Sequence, residues 1–112
     1  MQTIAIVLNV RAEQAEEFER GFREMELPIW HDLRDRGLLR IATLTRLDIS
    51  TKPADGAVQY LVATVFDSDE GHHAHDQDAR FKSWNERADA YQVSDPFVFG
   101  GDTIVSAKRE EV

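Results

Sequence analysis

Apolar residues recur along this chain with two different periods, and the changes of period divide it into elements. Ile4, Ile6 and Leu8 alternate with Ala5 and Val7 in an aliphatic run that ends at Asn9, so a first strand is predicted over residues 4–8. From Arg11 the spacing becomes three and four. Ala15, Phe18, Phe22, Met25 and Ile29 form the stripe of an amphipathic helix, and Glu13, Glu16, Glu17, Glu19, Arg20 and Glu24 fill its remaining surface. Pro28 interrupts this helix, because its ring removes a donor and clashes with the preceding turn, and it opens a second helical piece reaching about Arg36. Gly37 then stands where a left-handed terminating residue is expected. Residues 38–49 alternate and are rich in strand formers, which predicts a second strand. Turn residues crowd positions 50–56, an exposed hairpin loop, and a third strand follows over residues 59–66. After Asp67-Ser68-Asp69 a helical region runs to about Tyr91, broken near Asp78, with Phe81, Trp84, Ala88 and Tyr91 on one stripe. Asp95-Pro96 and Gly100-Gly101 punctuate the chain before a last strand, expected over residues 103–107.

The order βαββαβ folds most simply as a ferredoxin-like α+β sandwich. Right-handed crossovers place both helical regions on one face of a four-stranded antiparallel sheet. The other face of such a sheet is polar when it meets water. Here both faces are apolar: in the third strand Tyr60, Val62 and Phe66 alternate with Leu61, Ala63 and Val65. A second copy of the sheet is the economical cover, so a homodimer is expected, the two sheets closing into a barrel. Arg40 and Arg46 fall on one face of the second strand. If the aliphatic face packs on the helices, they point toward the partner sheet and pair with Asp48 or with acids of the other subunit.

Composition narrows the chemistry. The 112 residues fit one domain spanning 1–112, and the absence of cysteine excludes a disulfide scaffold, a thiolate zinc site and a cysteine nucleophile. A net charge of −8 opposes binding to a nucleic-acid backbone. No apolar run is long enough to span a bilayer, and residues 1–9 lack the basic start and cleavage site of a signal peptide, so a cytoplasmic protein with no membrane partner is expected. No Ser-His-Asp arrangement, phosphate loop or dinucleotide fingerprint is present.

Three of the four histidines lie in Glu70-Gly71-His72-His73-Ala74-His75-Asp76. On a helix His72, His75 and Asp76 share a face. Two imidazoles and a carboxylate recur around zinc and non-haem iron, but a polar first turn of helix accounts for the same residues, and no metal is assigned. His72 and His75 are the first candidates for a general base or for orienting a substrate. Trp30, His31, Trp84, Asn85 and Tyr91 combine aromatic bulk with a few hydrogen-bonding groups, the usual lining of a small-molecule pocket. Asn85 and Tyr91 join the histidines as catalytic candidates, and Trp30, His31 and Trp84 are read as substrate-binding.

The strand and helix order, the doubly apolar strands, the break at Glu26-Leu27-Pro28-Ile29-Trp30 and the turn Arg36-Gly37-Leu38 together resemble the dimeric α+β barrel superfamily. That group includes cofactor-free antibiotic-biosynthesis monooxygenases, polyketide cyclases, haem-degrading monooxygenases and stress-responsive barrel proteins. The resemblance implies a pocket in each subunit between sheet and helices, with the start of the second helical region near one mouth. The superfamily's haem-degrading members have an asparagine at the end of the first strand, where Asn9 stands, which adds Asn9 to the substrate-binding candidates. The haem-degrading members carry a haem-ligating histidine after the tryptophan of the second helix, and no histidine follows His75 here. The expectation is therefore an enzyme of the cofactor-independent monooxygenase or cyclase type acting on an aromatic or polyketide-like substrate. The alternative is a non-catalytic small-molecule-binding or stress-related protein, ahead of a haem- or metal-binding one.

Overall fold

The structure, a computed structural model, describes residues 1–109. Strands β1 (Gln2–Arg11), β2 (Leu39–Arg46), β3 (Ala57–Phe66) and β4 (Phe97–Asp102) form one antiparallel sheet in the order β2-β3-β1-β4. Helices α1 (Ala15–Gly21) and α2 (Leu27–Asp35) connect β1 to β2, and α3 (Asp69–Gln77) and α4 (Ala79–Asp89) connect β3 to β4. This is the expected ferredoxin-like α+β arrangement. The register places Ile4, Ile6 and Leu8 beside Thr64, Val62 and Tyr60 on the face that meets the helices. Ala5 and Val7, beside Ala63 and Leu61, fall on the other face, which no described element covers.

Phe18 is the hub of the core. It is wholly buried, with its ring centroid 4.9 Å from Tyr60, 5.9 Å from Phe22, 6.0 Å from Trp84 and 6.2 Å from Tyr91. These offset and edge-on contacts join α1, β3, α4 and the segment after α4 in one aromatic layer. The aromatic stripes therefore serve packing first.

Local chemistry accounts for most element ends. Gly37 has a φ of 75°, its amide donates to the carbonyl of Arg34, and Leu38 donates to that of Leu33, which closes α2 with a left-handed residue. Ser68 caps α3 by accepting from the amide of Glu70, and Asp78 ends α3 and caps α4 by accepting from the amide of Arg80. The break at Asp78 stands where the sequence places it.

Three expectations are corrected. The helix does not stop at Pro28. A π-helical turn, Phe22–Glu26, joins α1 to α2, and the amide of Leu27 reaches back to the carbonyl of Phe22. Pro28 has no N–H for the carbonyl of Glu24 and would press its ring against it, and a widened turn relieves both problems without ending the helix. The last strand is Phe97–Asp102, not residues 103–107. Gly100 is inside this strand, opposite Ile4, whose Cδ1 would lie 2.7 Å from any Cβ there, so the glycine makes room for a core side chain instead of turning the chain. The arginines of β2 also find other partners. A register shift between Leu39 and Ile41 turns Ile41 to the uncovered face and returns Ala42, Leu44 and Arg46 to the helix face. Arg46 pairs with Glu19 and Arg40 with Asp67, all within one chain.

Gly71 is the tightest point between the helical layer and the sheet connection. A Cβ there would sit 2.5 Å from the carbonyl oxygen of Leu38 and 2.9 Å from the Phe66 ring. Backbone cannot yield as a flexible side chain does, so Gly71→Ala should cost about 1–3 kcal/mol of unfolding free energy. Urea denaturation checks this, and an unchanged midpoint would show that α3 shifts freely.

Candidate functional site

Between the sheet and the helices lies a cavity of about 290 Å³. Its floor is the helix face of the sheet, through Ile6, Leu8, Val62 and Val98, and its walls are Phe22, Trp30, Phe81 and Trp84. Its polar groups are Glu26, His72, His75 and Asp76, joined by Asn85 and Asp89 on α4, Gln92 just beyond it and Thr64 on β3. An apolar chamber with a few convergent polar groups is the usual form of a small-molecule site.

Its polar side is a continuous series of hydrogen bonds and close N···O contacts. Glu26 ends the π-helical turn and is nearly inaccessible to solvent. Its Oε1 accepts from His75 Nε2 at 2.5 Å, and His75 Nδ1 donates in turn to Asp76 Oδ1 at 3.0 Å. The other oxygen of Asp76 lies 3.1 Å from His72 Nε2, and the His72 ring stacks on Phe66 with centroids 5.7 Å apart. Phe81 closes over His75, centroid to centroid 4.2 Å. The series Glu26–His75–Asp76–His72 thus runs from the cavity wall to a partly exposed imidazole.

A carboxylate faces each ring nitrogen of His75, and an imidazole donates from both nitrogens only as the imidazolium. Burial pulls the His75 pKa down, but the hydrogen bond and charge of Glu26, and then those of Asp76, outweigh it, so the pKa is raised above its ordinary 6.5. The trio His72, His75 and Asp76 is consumed in these bonds, and no group of three His, Asp or Glu among the described residues is placed to hold a metal ion.

The structure divides the sequence candidates. His72, His75, Asn85, Trp30 and Trp84 meet at this cavity. Asn9, His31 and Tyr91 do not. Asn9 points to the other face of the sheet, where it accepts from Gln59 Nε2 at 2.8 Å and donates to Ser94 at 3.1 Å, so the end of β1 is tied to the segment after α4. His31 is exposed on α2 between the buried Trp30 and Leu33. Tyr91 is a core residue edge-on to Phe18. Glu26 was missed by reading the sequence. Its signal was a carboxylate four residues after Phe22 and three before Ile29, on the apolar stripe, where an acid has no structural reason to be.

A second cavity, about 400 Å³, opens between the first helix and β2. Tyr60 donates there to Glu19 at 2.5 Å, and Glu19 also pairs with Arg46. Burial and then the bond to Glu19 push the Tyr60 phenol up to about 12, so it stays a donor across the ordinary pH range. Trp30 and Phe22, edge-on with centroids 5.1 Å apart, line both cavities.

No family model matches the sequence, and no curated protein matches it significantly. Solved structures do share its fold. One antibiotic biosynthesis monooxygenase superposes with a TM-score of 0.71 at 15% identity, covering 94% of this chain and 100% of its own. A protein of Nitrosomonas europaea put forward as an antibiotic biosynthesis monooxygenase gives 0.73 at 11% identity, with 94% and 100% covered. HapK from Hahella chejuensis gives 0.70 at 15% identity, with 99% and 100% covered. The chain therefore has the ferredoxin-like fold of the antibiotic-biosynthesis-monooxygenase structures. At these identities the likeness is one of fold.

The His75–Glu26 pair has a measurable signature. A raised histidine pKa contributes stability that is fully present below the ordinary value of 6.5 and is lost as pH rises through the folded value. Wild type should therefore exceed His75→Gln in unfolding free energy most below pH 6.5, with the difference shrinking at alkaline pH. NMR titration should place the His75 midpoint above 6.5, and Glu26→Gln should lower it. A midpoint that ignores Glu26→Gln would break the pairing.

Proposed function

We propose that this protein is a cytoplasmic homodimeric enzyme of the cofactor-independent monooxygenase or cyclase type, acting on an aromatic or polyketide-like substrate in the cavity between sheet and helices. The observation that carries the reading is a buried acid–base pair, Glu26 and His75, in the wall of a mostly apolar and aromatic chamber. The aromatic walls suit a planar molecule, and a water-poor chamber strengthens every charge within it. In an oxygenation without a cofactor the substrate supplies the electrons: a CH₂ and O₂ become a C=O and water. The protein's task is to take a proton from the substrate and hold the resulting anion. His75 acts through Glu26 as the acid–base centre, and Asp76 with His72 carries protons to solvent. Asn85 contributes a polar group at the chamber wall.

The alternative is a binding or stress-related protein with the same chamber and no turnover. One observation favours it: both nitrogens of His75 are engaged, so the imidazole also serves as a clasp between α3 and the π-helical turn. Oxygen uptake and product analysis with quinols and planar aromatic ketones separate the two. For the enzyme, turnover is expected, and His75→Ala should lower it by about 10²–10⁴-fold. Ligands that raise the melting temperature without being consumed select the binding protein.

The homodimer rests on the uncovered sheet face. Leu61, Ala63, Val65, Phe97 and Phe99 project there, Phe99 being 61% exposed and Ile41 58%. A second copy of the same face is the self-complementary cover. Light scattering after size exclusion should give twice the 12.8 kDa chain mass, and Leu61→Lys at the centre of the face should give the monomer. A wild-type monomer at micromolar concentration would overturn the assembly.

A further inference from the structure

Three polar atoms on residues lining the cavity are buried and have no hydrogen-bond partner among the described residues: Glu26 Oε2, the carboxylate oxygen not engaged by His75, Trp30 Nε1, and Gln92 Oε1 beyond α4. Glu26 Oε2 and Trp30 Nε1 complement each other, since one only accepts and the other only donates. They also stand four residues apart on one continuous helix, the spacing that brings side chains together on a face about one turn apart. Both residues line the 290 Å³ cavity, whose lining is mostly apolar. A buried polar atom without a partner is costly, and a carboxylate oxygen more so than most.

We infer that Glu26 and Trp30 are the specificity-determining pair of the cavity: it takes an uncharged, largely apolar ligand that presents a hydroxyl or N–H donor to Glu26 Oε2 and a carbonyl acceptor to Trp30 Nε1. This deepens the proposed function and rests on its assignment of the chamber to a small molecule. The selection works by exclusion as well as attraction. A hydrocarbon of the same shape leaves both atoms unpaired, and an anionic ligand meets the Glu26 carboxylate with like charge. His75 is a positioning residue in this scheme, because it fixes Oε1 and leaves Oε2 for the ligand.

A matched series tests it: tetralin, with neither group; 1-tetralone, acceptor only; 5,6,7,8-tetrahydro-2-naphthol, donor only; and 6-hydroxy-1-tetralone, with both. Calorimetry or fluorescence of the two tryptophans should rank the bifunctional compound first, with about a tenfold loss of affinity for each group removed. Trp30→Phe keeps an aromatic wall but has no N–H, and should erase the advantage of the carbonyl while leaving that of the hydroxyl. Glu26→Gln is isosteric. If its oxygen stays on His75, its amide N–H₂ faces the ligand and the preference shifts from hydroxyl to carbonyl. Equal affinity across the series would show that solvent meets these atoms, overturning the pair while leaving the chamber as a ligand site. If no member binds, even at millimolar concentration, both the chamber reading and the pair fall. Preferences unchanged in Trp30→Phe and Glu26→Gln would place recognition elsewhere and overturn the inference.

Discussion

Pro28 has no amide hydrogen to give the carbonyl of Glu24, yet the helix that contains it continues to Asp35. The widened turn before it resolves that conflict, and the site follows from its geometry. A π-helical turn adds a residue to the circuit, which brings Glu26 onto the buried side beside Phe22 and leaves Met25 half-buried. Glu26 then meets His75, Trp30 continues the same wall, and Ile29 and Leu33 complete the seating of α2. In a regular helix Met25 and Glu26 would both flank the stripe, and the widened turn favours Glu26 over Met25.

The sheet and the helices were legible because their cues are local. Alternation marked β1 and β3, the three-and-four stripe marked α1, and Gly37 and Asp78 ended or began helices as their chemistry predicts. In two misreadings a residue's usual local role was overridden, once by a contact distant in sequence and once by a change in the helix just before it. Gly100 reads as a breaker until Ile4 is placed over it, and Pro28 reads as a stop until the turn before it widens. The candidate site was half legible for a related reason. The histidine cluster advertised itself by composition, and Trp30 and Trp84 by their stripes. Glu26 was hidden because Met25 beside it fills the same stripe, three after Phe22 and four before Ile29, and is the apolar residue expected there. His31 and Tyr91 carried the right chemistry in the wrong direction: neighbouring residues of α2 differ by about 100°, which puts His31 in solvent beside the buried Trp30, and Tyr91, just past α4, turns into the core.

The two cavities illustrate how differently the same residue types are used. At Glu19 the carboxylate is shared by a phenol and a guanidinium, so both of its neighbours are satisfied donors and Tyr60 is locked as a proton-holding group. At Glu26 one oxygen is held by a cationic ring and the other is left over. The first arrangement ties β3 and β2 to α1. The second leaves an oxygen of the chamber wall open to a donor.

The Glu26–His75 clasp also bears on how such a sequence changes over generations. Losing one partner strands a buried charge, whereas replacing both with apolar residues of similar volume is frequently neutral or stabilising. The two positions are therefore free to drift only together, and the route to an apolar pair lies open to any lineage that needs only the fold. A lineage that keeps the acid and the imidazole is under selection for something other than stability. Covariation between these two positions, 49 residues apart in sequence, is thus a record of chemistry kept or abandoned.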